Sequence, residues 1–529
     1  MKDMDRLVEI LAQKIRKQVH IRIIGDYDVD GVTSSHLFLT ALRRVGAKVD
    51  VVIPHRIQDG YGLSLHLLQQ AKEDGVDTIL TCDNGIAAID EIAWAKAQKM
   101  TVLVTDHHAV PFEEHEGRRT EKKSLADAVV NPHQQDCGYP YKELCGAGVA
   151  WNVIRVLYEN YDMDKREAED LLDFVAMATV CDVMSLTGEN RILVKEGLKR
   201  IRHTKNIGLQ ALMQACNVQP ENISAYHFGY VLGPCVNATG RLDTARHALR
   251  LFETGQETEA EEIARDLVDL NQERKELTLQ GVEMAKKLCE EGGYENDPVL
   301  VLFLPDVHES IAGLIAGRIR EMYNRPVFVL TRGEEGVKGS GRSTENYSMY
   351  ENMCGCAELF TKFGGHPMAA GLSLPEENVE KFRRKINENC PLTVEEVCPD
   401  IHIDMAMPVG YASTELVHQF ALLEPFGKDN PSPLFADRNL SISRMWVIGK
   451  NRNVLRMSVL SEYGQPVPVI FFGDVETLFA YFTEKFGQEE VENALHGRKN
   501  RILFSMVYTA KIDFYQGNEN LQLEMKYYR

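Results

Sequence analysis

The stretch IRIIGDYDVDG, Ile21 to Gly31, begins as a short apolar run and ends in three aspartates at alternate positions, Asp26, Asp28 and Asp30. The run predicts a buried strand, which rises roughly 3.3 Å per residue and sets alternate side chains on one face. If that geometry continued, the three carboxylates would be close neighbours, and bare anions so placed either take up protons or hold a cation. Gly25 and Gly31 bracket the trio, as expected where a strand turns tightly into a helix. A lone DxD is more often a solvated acidic turn, so the surrounding sequence decides.

Working outward, Val32–Gly46 has helical spacing, residues around 50–54 are strand-like, and Leu65–Asp74 suits a helix. Asp77–Cys82 suits a strand, Ala87–Lys99 a helix, and Thr101–Thr105 and Ala128–Val130 further strands. Such alternation implies right-handed crossovers and a parallel sheet, whose ligands bind beyond the carboxyl ends of the strands. TILTCDNGI ends its apolar part in Asp83, and TVLVTDHH ends in Asp106, His107 and His108. The apolar run LLDFVAMATVCDVMSL delivers Asp182 at its end. Four segments are thus expected to bring acidic or imidazole groups to one sheet edge.

Oxygen and imidazole donors suit Mn²⁺, Mg²⁺ or Zn²⁺, and an excess of carboxylates favours a pair of ions. Two ions roughly 3.5–4 Å apart suit phosphoester hydrolysis. Asp83, in the middle of the set, is the candidate bridging carboxylate. Asp28 and His107 are expected to complete one ion's shell, Asp30 and Asp182 the other. Asp26 and Asp106 are further ligands or acceptors that orient a histidine. His108 is expected to face the scissile phosphate, as an electrophile or proton donor. The catalytic candidates are therefore His108, Asp83 and Asp106.

At 529 residues the chain exceeds what one hydrophobic core usually serves, predicting three or more structural units. Its net charge of −19 argues against a surface coated for nucleic acid but allows one basic groove on an acidic body. No run of 18 apolar residues predicts a membrane span, and the start reads as an amphipathic helix, so a cytoplasmic protein is expected. Eleven scattered cysteines suit free thiols in a reducing compartment.

Leu242–Glu290, rich in Ala, Leu and Glu, reads as long connecting helices. Beyond Pro298, VLVLFLP and PVFVLTR are expected strands around a helix at Ile311–Tyr323, followed by KGSGRS and FGGHPMAAG. Glycine-rich turns around Arg342, Ser343 and His366 would allow close backbone approach to phosphate, with arginine giving forked hydrogen bonds. The alternative is a pair of tight turns around a buried histidine. Arg241, in NATGR, is a further phosphate candidate. From about Pro399, short strands recur at spacings that suggest a small barrel. An oligonucleotide-binding (OB) barrel fits, with a basic groove and aromatics on which bases stack. Trp446, Lys450, Arg452 and Arg456 are its candidate contacts, the alternative being ordinary surface residues.

The acidic and histidine segments resemble the motifs of the DHH phosphoesterase superfamily, named for its Asp-His-His triplet, here Asp106-His107-His108. Asp28 and Asp30, then Asp83, the triplet and Asp182 stand in that family's order. GDYDVDGVTS, PHRIQDGYGLS, NATGRLD, NRPVFVL, KGSGRS, FGGHPMAAG and EPFGKDNPSPLF are similar to successive segments of the RecJ exonucleases, over nearly the full length. The sequence departs from that pattern where CDNG stands for the commoner DCG, where no arginine follows Pro234, and where Val307 replaces a tryptophan.

The resemblance implies an α/β fold: a parallel-sheet DHH phosphoesterase domain (1–205), long connecting helices (206–293), a smaller α/β DHH-associated domain (294–390) and a C-terminal OB-type β-barrel (391–529). It implies a two-metal 5′→3′ exonuclease of single-stranded DNA in repair and recombination, with Mn²⁺ ahead of Mg²⁺. Arg342, Ser343, Gly364, Gly365 and His366 would hold the strand against the metals. A helicase and a single-strand-binding protein are candidate partners. Two alternatives are a phosphodiesterase of short oligoribonucleotides or cyclic dinucleotides, and a non-catalytic scaffold. The barrel speaks against the first, because tiny substrates need no extended surface; the complete ligand set speaks against the second.

Overall fold

A computed structural model describes residues 1–56, 59, 62–115, 118–242, 244–294, 296–333, 336–392, 401–449, 452–515 and 518–529. The first apolar run folds as β1 (His20–Ile24), between helices α1 (Met4–Arg16) and α2 (Val29–Arg44). The alternation continues through β2 (Lys48–Val52), α3 (Leu65–Glu73), β3 (Thr78–Cys82), α4 (Ile89–Ala97) and β4 (Thr101–Thr105). A hairpin of β5 (Phe112–His115) and β6 (Arg118–Glu121) precedes β7 (Ala128–Val130). The main sheet is wholly parallel, in the order β2-β1-β3-β4-β7, as the alternation implied.

Both faces of this sheet are covered. Ile21, Ile23, Leu80 and Leu103 enter one apolar cluster with residues of α1 and α2. Ile24, Ile79, Val102 and Val104 enter the other, with Leu67, Leu68 and Ile92 from α3 and α4. Strands buried on both sides read as continuous apolar runs, which is how they stand in the sequence. The chain leaves β1 for β2 on one flank and returns to β3 on the other. A crevice therefore opens at the carboxyl ends of β1 and β3, the usual ligand position in such a sheet.

Next come α5 (Gly146–Asn160), α6 (Lys165–Glu169), α7 (Leu172–Cys181), α8 (Gly188–Ile201) and α9 (Ile207–Ala215). The run that delivers Asp182 is a helix, α7, so Asp182 reaches the sheet edge from a helix end and not from a strand. Phe174, Val175, Ala176, Met177 and Ala178 are all buried. A helix enclosed on every side shows no apolar stripe by which periodicity could distinguish it from a strand. A continuous rod follows, made of α10 (Ala225–His227), a π-helical turn (Phe228–Leu232) and α11 (Gly233–Leu242). The expected long helices are α12 (Ala245–Glu253) and the 35-residue α13 (Glu257–Glu291).

A second five-stranded sheet is built from β8 (Leu300–Phe303), α14 (Glu309–Tyr323), β9 (Val327–Gly333), β10 (Gly336–Arg342), α15 (Met349–Cys354), β11 (Lys362–His366), β12 (Ala369–Leu374) and α16 (Val379–Glu388). Its order is β11-β12-β10-β9-β8, with only β8 and β9 parallel. The glycine-rich stretches expected as turns are strands β10 and β11. Their glycines make room for neighbours: Leu330 and Leu372 close over Gly339, and Met349 and Phe328 over Gly341. Residues 1–399 form one compact unit and 400–529 a second.

The second unit contains β13 (Met405–Ala406), α17 (Thr414–Phe420), β14 (Phe435–Ile448), β15 (Val454–Leu460), β16 (Pro466–Phe472), α18 (Val475–Phe486), α19 (Gln488–Leu495), β17 (Leu503–Tyr515) and β18 (Asn518–Tyr528). The order β14-β15-β16-β18-β17 closes when β17 pairs back onto β14, giving a five-stranded barrel. Met445, Leu455, Met457, Val469, Tyr508 and Leu523 fill its core. This is the OB-type barrel expected from the recurring short strands. Among the described residues no helix is long and apolar enough to cross a membrane, and the ten described cysteines are free.

Candidate metal centre

β1 stops at Ile24, so the three aspartates of the first motif lie on a strand-to-helix turn and not along one strand face. Asp28 caps α2, its Oδ1 accepting from the Gly31 N–H at 3.0 Å. A Cβ on Gly31 would stand 2.5 Å from backbone atoms of Asp26, so only glycine lets the turn fold back on α2. Asp83 follows β3 directly with a left-handed backbone, φ 62°, a conformation concentrated at functional sites. Asp106 follows β4. Its Oδ1 accepts from the N–H groups of His107 (2.7 Å) and His108 (3.0 Å) and meets His108 Nδ1 at 2.8 Å, while Oδ2 accepts from Ile86 N–H at 2.9 Å. Asp182 caps the carboxyl end of α7.

These groups converge. His107 Nε2 lies 3.1 Å from Asp83 Oδ1, 3.6 Å from Asp182 Oδ2 and 3.7 Å from Asp30 Oδ2. The first turn of α5 holds the Asp30 carboxylate, through the N–H groups of Gly146 (2.6 Å) and Ala147 (2.7 Å). Ligand atoms gather within 4.8 Å in three overlapping sets: Asp26, Asp28 and Asp83; Asp30, His107 and Asp182; Asp83, His107 and His108. Asp83 and His107 each belong to two of them. His107 thus gathers with Asp30 and Asp182, and Asp28 with Asp26 and Asp83.

The electrostatics call for a cation. Burial, then the neighbouring Asp28 charge, hold the Asp26 carboxyl well above its usual range. Burial, then the charges of Asp30, Asp28 and Asp182, do the same to Asp83. Asp28 is raised by burial and by Asp30. Burial also depresses the His107 imidazole, which favours its neutral, ligating form. Asp26 Oδ1 is buried without a hydrogen-bond partner, and His107 Nε2 makes no hydrogen bond although three carboxylates surround it. Divalent cations answer each of these features, so the donor set fits the metals that the carboxylate–imidazole mixture implied. His108 differs. Burial opposes its charge, but the hydrogen bond and charge of Asp106 prevail and raise it to about 9.

Residues 20–179 match the model of the DHH family, N-terminal domain; residues 296–390 match the DHHA1 domain and 403–527 the RecJ OB domain. The single-stranded-DNA-specific exonuclease RecJ of Haemophilus influenzae is 33% identical, over 99% of this chain and 90% of its own length. The chain belongs to the RecJ family. The Bacillus subtilis RecJ is also 33% identical over 88% of this chain, which spans 58% of that longer relative. The crystal structure of Thermus thermophilus RecJ in complex with Mn²⁺ superposes with a TM-score of 0.80 at 26% identity, over 100% of this chain and 72% of that one. The same enzyme in complex with Mg²⁺ gives 0.74.

In this RecJ-family chain the remaining candidates are more dispersed. Arg241 Nη1 donates to the Ser310 carbonyl at 2.6 Å, bridging α11 to α14. Burial, then Arg56, Arg274 and Arg342, lower Arg241 to about 10; burial and Arg56 also lower Arg342. Of these guanidiniums Arg56 lines a cavity of about 470 Å³, together with Tyr27, Ser310, Lys338, Ser340 and Gly364. Ser343 is turned inward, its hydroxyl donating to the Tyr347 carbonyl. Gly364, Gly365 and His366 lie on the edge strand β11, with His366 exposed. Trp446, Arg452 and Arg456 belong to the barrel, where Arg444 lies over the Trp446 ring at 5.7 Å; Lys450 lies outside the described residues.

Sequence reasoning missed Arg56, Gly146 and Asn237. Asn237 Oδ1 accepts from the Val29 N–H at 3.1 Å, tying α11 to the first metal loop. Its signal was present, since it opens the NATGR motif whose arginine was singled out.

Proposed function

We propose that this protein is a two-metal-dependent exonuclease that hydrolyses single-stranded DNA from the 5′ end. The observation that carries this reading is the meeting of Asp30, Asp83 and Asp182 around His107 Nε2, from four separate segments. One cation is assigned to Asp26, Asp28 and Asp83, the other to Asp30, His107 and Asp182, with Asp83 between them. Divalent ions, when bound, polarise a phosphodiester and lower the pKa of water.

The chain's own groups do the rest. α5 fixes the Asp30 carboxylate through two N–H bonds. Asp106 fixes the His108 ring through Nδ1, so that Nε2 donates to a phosphate oxygen at the mouth of the crevice. Arg56 supplies cationic charge in the adjoining cavity, which β11 lines through Gly364; Arg241, Arg342, Gly365 and His366 are assigned to holding the strand's phosphates nearby. Trp446, Lys450, Arg452 and Arg456 are assigned to strand binding on the barrel, and Ser343 to holding β10 in place. The four segments 1–205, 206–293, 294–390 and 391–529 are assigned to catalysis, connection, substrate clamping and strand capture. The reading extends to a role in DNA repair and recombination in the cytoplasm, with a helicase and a single-strand-binding protein as candidate partners; membership of the family supports it.

The relatives' names carry the preference for single-stranded DNA, and the barrel supports it against oligoribonucleotide or cyclic-dinucleotide substrates. The test is incubation of the purified chain and Mn²⁺ with end-labelled single strands of each polarity. Digestion from 5′ ends is expected; digestion from 3′ ends only, or none, overturns the reading.

A further inference from the structure

The rod from Ala225 to Leu242 is anchored at two places. Toward its carboxyl end Asn237 accepts from Val29, Gly240 packs against the Tyr27 carbonyl and Arg241 reaches Ser310. Toward its middle it lies on the end of α7: Cys181 Sγ is 3.3 Å from the Phe228 carbonyl, and Gly233 packs directly on Cys181. Cys181 immediately precedes Asp182, so both anchors adjoin the metal centre. At the rod's outer end, Tyr226 and Tyr230 stand 62% and 71% exposed. Their rings are stacked, with centroids 5.1 Å apart and planes 22° from parallel.

Tyr230 stands within the π-turn Phe228–Leu232 and Tyr226 just before it; such turns recur at functional sites. Tyr230 precedes Asn237 by seven residues, which sets it about 10 Å along the rod from the loop that Asn237 holds. Tyr226 lies about 16 Å along by the same measure.

We infer that the Tyr226–Tyr230 stack is a base-stacking platform for the single strand beside the metal centre. The inference rests on the proposed nuclease reading and deepens it. Exposed rings accept the face of any unpaired base, whereas a duplex hides those faces within its own stack. The rod that carries the rings also touches the end of α7 and the Tyr27–Val29 loop, and this shared support beside the proposed cleavage site selects an unpaired strand as the occupant.

The test compares the full chain with the double variant Tyr226→Ala/Tyr230→Ala, in Mn²⁺, on a 20-nucleotide strand and on a 5′-phosphorylated dinucleotide. KM for the long strand is expected to rise about tenfold, the scale of one base–aromatic stack. kcat and dinucleotide turnover should stay unchanged. Tyr226→Phe/Tyr230→Phe should behave as wild type, and a strand made abasic throughout should not distinguish Ala variant from parent. Binding of a 2-aminopurine-labelled strand in the presence of EDTA gives a readout independent of cleavage, with quenching expected in the parent and lost in the Ala variant. If the parent cleaves nothing but the quenching difference holds, the nuclease reading fails and the platform stands. A KM within about twofold of the parent, equal loss on the abasic strand, or undiminished quenching overturns the platform and points to a surface for a protein partner.

Discussion

The backbone N–H of Gly146 donates to Asp30 Oδ2 at 2.6 Å, so the start of α5 sets the position of a carboxylate 116 residues earlier in the chain. The same residue presses on a second one: a Cβ at Gly146 would stand 2.6 Å from the Asp83 Cβ and 2.8 Å from its Oδ1. Gly146→Ala must therefore displace Asp83 while leaving every proposed metal ligand in the sequence. Activity is expected to fall on the order of 100-fold, the cost of misplacing a reacting group by about 1 Å. Melting in the presence of EDTA should stay close to wild type. Undiminished activity would show that the cluster tolerates a wider Asp83 position.

Asp83→Ala removes the carboxylate shared by two ligand sets. Calorimetric titration with Mn²⁺ should find fewer bound ions than in the parent. Cleavage should fall by on the order of 10³-fold or more, as when a charge-stabilising group is lost. Strand binding should persist, because the barrel and the arginine cavity are untouched. Cleavage within about tenfold of the parent would remove Asp83 from the bridging role.

Asp106→Asn separates orientation from ligation. Asp106 touches His108 and backbone N–H groups and belongs to none of the three ligand sets. Turnover should drop about 10–100-fold, the scale for an orienting partner, while the number of Mn²⁺ ions bound in the same titration stays as in the parent. Loss of an ion would instead make Asp106 a ligand.

His36 gives a pH-dependent test away from the metal site. It is buried on α2 with its ring 4.4 Å from Phe174 and 5.8 Å from Phe252. Burial lowers its pKa from 6.5 to about 3. Between those values the unfolded chain binds one proton more than the folded one, so stability is complete above pH 6.5 and drains away as the pH falls toward 3. His36→Leu should show a shallower fall in melting temperature over that acid range. Parallel curves for the two proteins would mean that other groups dominate acid unfolding.

Much of the candidate site was legible because several of its groups stand in loops directly after buried strands. Asp83, Asp106 and His107 could be placed from the apolar runs before them. Asp182 was found for its chemistry, although α7 is enclosed on all sides and its sequence lacks the polar face that marks a helix. The first motif carried two signals, its alternate aspartates and its bracketing glycines. Alternation at 26, 28 and 30 suggests a strand, but the cap formed by Asp28 and Gly31 starts a helix two residues after Asp26. Gly339 and Gly341 read as turn formers and prove to be strand residues under Leu330, Leu372, Met349 and Phe328. Such long-range crowding leaves no local trace. The inward hydroxyl of Ser343 was hidden for the same reason: its partner, the Tyr347 carbonyl, is set by tertiary packing.

α11 grips the first metal loop through Asn237 and the second sheet's α14 through Arg241. A lever joined at both ends transmits in both directions. Any coupling this helix carries between nucleic acid at the second sheet and cations at the first loop acts by the same factor in both directions.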